Sequence, residues 1–133
     1  MGQYWKPVNL TKREFIHPHR LASGLKLWEI LANDHVGKAL IVLTAAMPGK
    51  RGGGDLQEDP IIGRWAGDQI AIVGDYAEDS DLANSPVPAS KIYSLCGEPD
   101  GFTDITDQVC AVIERELEGK FVGEGRRNFI PNE

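Results

Sequence analysis

The stretch VGKALIVLTAAM, residues 36–47, decides whether this chain is mostly sheet or a mixture of sheet and helix. Its β-branched residues favour a strand. Yet it runs without a turn signal and sets Val36, Ala39, Leu40, Leu43 and Met47 on one stripe, which is the spacing of a buried helix. As a strand it would add a member to the sheet and make the following RGGGD a strand-to-loop exit. As a helix it belongs to an α+β chain, and the stripe favours the helix.

Upstream, QYWKPVN (3–9) is aromatic and β-prone, and REFIH (13–17) alternates charged with apolar residues, so the LTK between them closes a hairpin. Pro7 has no N–H to give a ladder, which places its strand at a sheet edge or at a bulge. After HPHR, Ser23 stands ready to cap a helix whose Leu25, Trp28 and Leu31 or Ala32 recur at three and four residues, ending near Asn33 and Asp34. Downstream, PGKRGGGD (48–55) breaks regular structure. QIAIV (69–73) reads as a short strand, central and covered on both faces. Residues 79–90 hold two prolines, Ser, Asn and acids, the composition of a mobile surface loop, and KIYSL (91–95) reads as a last strand. Residues 102–119 are the strongest helix, with Thr103 or Asp104 at the cap and Ile105, Val109, Val112, Ile113 and Leu117 on one face. The order ββααββα predicts a single α+β domain over residues 1–122, with a mainly antiparallel sheet, about three helices and a flexible tail at 123–133.

A chain of 133 residues, 41% of them hydrophobic and three of them Trp, has the material for one core. No window holds the apolar run a membrane span needs, and residues 1–18 lack the apolar centre of a signal peptide, so a cytoplasmic protein with no membrane partner is expected. The net charge of -6 is unevenly placed: residues 1–54 carry +5, residues 55–107 carry -10 and the rest -1. Overall acidity argues against duplex nucleic acid as a partner and leaves a protein partner open. Cys96 and Cys110 are too few for a disulfide framework, and Cys110 sits in a helical apolar pattern as a small buried residue.

Several residue groups could carry chemistry. In RWAGDQIAIVGDYAEDSD (64–81), two Gly-Asp pairs bracket the apolar run, and both fall where the chain must turn, so glycine conformation and aspartate-to-backbone bonding explain them without a ligand. Asp75, Glu78, Asp79 and Asp81 nonetheless put four carboxylates within seven residues, without the glycine turn and distal Glu of a calcium loop. His17 and His19 share a face if extended and could hold a divalent metal with Asp68 or Asp75; the alternative is that Pro18 marks a passage from strand to helix. Lys50, Arg51, Gly52, Gly53 and Gly54 could cradle a phosphate through consecutive N–H groups, although the Gly-Lys-Ser/Thr end of a P-loop is missing and a flexible connector fits as well. Cys96 would need His17, His19 or His35 beside it to act as a nucleophile. Tyr4, Trp5, Trp28 and Trp65 read as core or groove residues.

The blocks YWKPVNLTKREFIHPHR, GLKLWE, RGGGD and GRWAGDQIAIVGDYAE resemble, in the same order, those of a group of small uncharacterised proteins predicted from bacterial, notably actinobacterial, and bacteriophage genomes. The resemblance covers roughly residues 2–80 and weakly the FTDITDQV segment. It implies a self-contained domain and a small accessory or inhibitor protein, and it brings no catalytic residues or cofactor with it. Two functions follow as expectations. One is a non-enzymatic protein that binds a protein partner through segregated charge, with Glu78, Asp79 and Asp81 on one surface and Arg126 and Arg127 in the tail. The other is a small metal-dependent or nucleotide-handling enzyme that uses the HPH pair and the Gly-Asp loops.

Overall fold

The computed structural model describes residues 2–117; the expected tail with Arg126 and Arg127, and the boundary placed at residue 122, lie outside the described residues. A four-stranded sheet has the order β3-β1-β2-β4, formed by β1 (Trp5–Asn9), β2 (Glu14–Phe15), β3 (Ile70–Gly74) and β4 (Thr103–Asp104). The β1 pairings with β2 and β3 are antiparallel and that of β2 with β4 is parallel, so the α+β domain with a mainly antiparallel sheet stands. Helices α1 (Leu27–Ala32), α2 (His35–Thr44), α3 (Ala89–Leu95) and α4 (Thr106–Glu116) pack around it, with short 3-10 turns at Pro18–Leu21 and Asp79–Asp81.

Of residues 36–47, 36–44 do form a helix, α2, while Ala45 leaves it in an extended conformation and residues 45–47 lie outside it. Val36, Ala39, Val42 and Leu43 of α2 are buried against Val109, Cys110, Val112 and Ile113 of α4. Alternation along the strands divides the interior in two. Val8, Phe15 and Val73 face Val87, Ile92 and Phe102 on the α3 side, while Ile16, one residue on from Phe15, joins Trp65 and the helices α2 and α4 on the other. The sheet is therefore a wall between two apolar clusters.

Pro7 is a correction: it lies in the central strand β1, paired opposite Ile72. Its carbonyl accepts the Ile16 N–H at 3.2 Å, so its missing N–H also points toward β2, and β2 has ended by then. The strand at 69–73 is the second correction. It is an edge strand, not a central one, and Ile70 and Ile72 remain 39% exposed. The third is KIYSL, which is helical: a turn held by Pro88 leads into α3, and Ala89 and Ile92, three residues apart, are the side chains it buries. Within the expected 79–90 loop, Val87 is buried and anchors that segment in the α3-side cluster.

Helix α1 turns opposite to expectation. Ile30 is its buried residue, whereas Leu27, Trp28 and Leu31 are exposed. Ser23 does not cap it; Ser23 is buried, donates to the Gly24 carbonyl at 2.9 Å and receives the Asn33 side-chain N–H at 3.3 Å. The last helix starts later than expected. Thr103 and Asp104 are taken into β4, and the Asp104 carboxylate accepts the Thr106 backbone N–H at 2.9 Å. Leu117, expected on the buried face, is exposed.

Candidate functional site

The segment GRWAGD threads beneath the sheet because its backbone completes α2. The N–H groups of Gly63 and Trp65 donate to the Val42 and Leu43 carbonyls, each at 2.8 Å, satisfying acceptors that a helix C-terminus leaves open. Trp65 is thereby buried, and its indole N–H donates to Glu14 Oε1 at 2.9 Å. The Arg64 guanidinium adds three contacts to the same carboxylate, Nε to both oxygens at 3.0 Å and Nη2 to Oε2 at 2.5 Å. Burial alone would push the Glu14 carboxyl up; the hydrogen bonds from Arg64 and Trp65 and the Arg64 charge outweigh it and hold it below the ordinary range. Beside this pair, Asp68 is ion-paired with Lys12 and accepts the Asn9 side-chain N–H at 2.8 Å, while the Asn9 Oδ1 takes the Lys12 backbone N–H at 2.7 Å. This network fixes the β1–β2 turn against the start of β3.

A 640 Å³ cleft opens over this pair, with Asp59, Thr103 and Gln108 on its walls. Its charges are spent internally: Arg64 on Glu14, and Asp59 on Arg115 at 3.1 Å. Glu14, held ionised, is not poised to exchange a proton near neutrality. The chemistry available in the cleft is that of a structural ion pair.

The sequence-derived candidates are not gathered into one place. His17 begins the 3-10 turn; its Nδ1 accepts the His19 backbone N–H at 3.3 Å, and its own N–H donates to Thr106 Oγ1 at 2.8 Å. Asp68 and Asp75 flank opposite ends of β3, the second taking the Tyr4 N–H at 2.9 Å. Among the described residues, no group of three or more His, Cys, Asp or Glu is placed to hold a metal ion. In the glycine loop, the N–H groups of Arg51 and Gly52 donate to Asp55 Oδ2 at 2.9 and 3.0 Å. The loop thus fills its own anion nest with an internal carboxylate, and those two bonds lower the Asp55 carboxyl. Lys50, Gly53 and Gly54 complete an exposed turn with Gly54 at φ 90. Burial pushes the Cys96 thiol up to about 12, which removes it as a thiolate.

Glu78, Asp79 and Asp81 form an exposed acidic turn at the end of β3. Asp79 accepts the Ser90 N–H at 3.0 Å and is lowered by that partner, and Asp81 accepts the Glu78 N–H at 2.9 Å. The sequence reading missed the α1 face: Trp28 is 75% exposed, Leu31 82% and Leu27 46%. A signal was present, because LWEIL is apolar around more of the helix than a single buried stripe requires. Comparison of the chain with known protein families, with curated proteins and with solved structures finds no match.

Proposed function

We propose that the chain is a small non-enzymatic accessory protein that binds a protein partner in the cytoplasm of a bacterial cell. The observation that carries the reading is the α1 face, where Leu27, Trp28 and Leu31 stand in solvent on a helix whose only buried side chain is Ile30. Single exposed apolar residues are ordinary, but a Trp flanked by two leucines is a contiguous patch of the kind that anchors interfaces. The charges beside the patch, Lys26, Glu29, Asp34 and Lys38, balance one another, so the fitting partner offers an apolar pocket without a strong charge of its own at that point. The acidic turn at Glu78, Asp79 and Asp81 offers the opposite charge to a basic region of the same partner or of another. The likeness in sequence to bacterial and bacteriophage proteins agrees with an accessory role. No helix among the described residues is long and apolar enough to cross a membrane.

The test is recovery of the partner from a bacterial lysate with wild-type chain and with Trp28→Ala, Trp28→Glu and Leu31→Glu variants, followed by titration of the recovered protein. The reading expects a partner whose affinity falls at least about 30-fold in Trp28→Ala, the fold-change of a 2 kcal/mol anchor. A partner bound equally by all variants, or none recovered, overturns it.

A further inference from the structure

We propose that β3 is a self-pairing edge, and that two copies of this chain join their sheets antiparallel about a two-fold axis at Ile72. The two edges of the sheet are built differently. On one side β4 is two residues long, Thr103–Asp104, polar and short in the way natural proteins blunt an edge. On the other side, β3 offers Ile, Ala, Ile, Val and Gly with neither Pro nor charge.

The hydrogen-bond register says which backbone groups are open. Leu10 N–H donates to the Gln69 carbonyl, and Asp75 N–H to the Tyr4 carbonyl. Alternate residues between them, Ala71 and Val73, therefore also turn their backbone groups to β1, and Ile70, Ile72 and Gly74 turn theirs outward. Among the described residues, the outward N–H and C=O of Ile70 and Ile72 have no partner. Their side chains flank an almost wholly apolar 220 Å³ hollow formed with Pro7, Leu40 and Trp65.

The strand is self-complementary about Ile72. In an antiparallel pair centred there, Ile72 meets Ile72 of the second copy and Ile70 meets Gly74, over which the Gln3 side chain lies. Charge agrees with the same direction. The exposed β1–β2 turn, with Arg13 and with Lys12 already ion-paired to Asp68, lies at the N-terminal end of β3, and the exposed acids Asp75, Glu78, Asp79 and Asp81 follow its C-terminal end. An antiparallel pair brings the basic turn of each copy to the acidic turn of the other, twice. A parallel pair would set like charges together. The uneven +5 and -10 of the sequence thus acquire a use within one assembly.

The inference is independent of the α1 face. Sedimentation velocity of the full chain at micromolar concentrations is expected to give twice 14.6 kDa, with dissociation promoted by salt. Ile72→Lys, and separately the more peripheral Ile70→Lys, are expected to give a monomer with unchanged circular dichroism. Trp28→Glu is expected to stay dimeric. Carbodiimide coupling of mixed isotope-labelled chains is expected to join Lys12 of one copy to a carboxylate within residues 75–81 of the other. A monomeric wild type overturns the inference. A dimer that survives both Ile variants, or that Trp28→Glu abolishes, overturns it equally. A dimer with no captured partner would leave the inference standing and remove the accessory-protein reading.

Discussion

Replacing Glu14 by Gln keeps the shape of the side chain and removes the charge on which Arg64 and the Trp65 indole converge. The variant is expected to lose about 2 kcal/mol, since a buried acceptor of charged donors is replaced by one that matches them poorly. The sign of the pH effect follows from the lowered carboxyl. Its contribution is fully present above the unfolded value of 4.5 and is lost as pH falls through the folded value. Urea midpoints measured from neutrality down to about pH 3 should fall more steeply for wild type than for Glu14→Gln below pH 4.5. Two glycines separate conformation from space. Gly63 has φ 77, and an added Cβ would lie 2.4 Å from the Ala45 carbonyl oxygen; Gly67 has φ 81 with open space around it. Gly67→Ala should cost about 1 kcal/mol, and Gly63→Ala at least about 2 kcal/mol, in urea denaturation.

At the scale of elements, long apolar stripes were legible and short segments were not. The helix expected over 36–47 was legible as far as Thr44, because ten or more residues give the helical period room to show, and the same holds for Val109 to Ile113 of the last helix. KIYSL was misread because five residues display β-branching and aromaticity but scarcely a period, and the turn at Pro88 outweighed both. The Gly-Asp pairs were legible in part: Gly67 does turn the chain at positive φ, but the ion pair of Asp68 with Lys12 spans half the chain and has no local signature. The same holds for Glu14 and Arg64. The glycine loop carries a prediction of its own kind. Asp55→Ala removes the acceptor of two backbone donors, so amide exchange at Arg51 and Gly52 should accelerate by about tenfold or more in NMR measurements, with the core amides unchanged.

At the scale of the whole molecule, the sheet couples its two apolar clusters through adjacent residues. Phe15 serves the α3 side and Ile16 the α2 and α4 side, so neither cluster can open without disturbing a strand that the other needs. A single cooperative transition is expected: tryptophan fluorescence, whose buried reporter is Trp65, and far-ultraviolet circular dichroism should give coincident urea curves. Separate midpoints would show two independently melting halves. Composition made one core plausible, but its division by the sheet could not be read beforehand, because it depends on which strand lies in the middle, and Pro7 argued against the true one.

The parallel pairing of β2 with β4 joins residues near 15 to residues near 104, and the packing of α2 on α4 joins residues near 40 to residues near 110. This has a consequence for the chain while it is being made. The β1–β2 hairpin leaves the ribosome early, yet one flank waits for β4 and both faces wait for helices encoded much later. At ordinary elongation rates that interval is about 5–20 s. During it, the segments of α2 and β3 are exposed as the most apolar parts of the nascent chain, so codon choice across residues 70–113 and the supply of chaperones should set how much of the translated product reaches the native state.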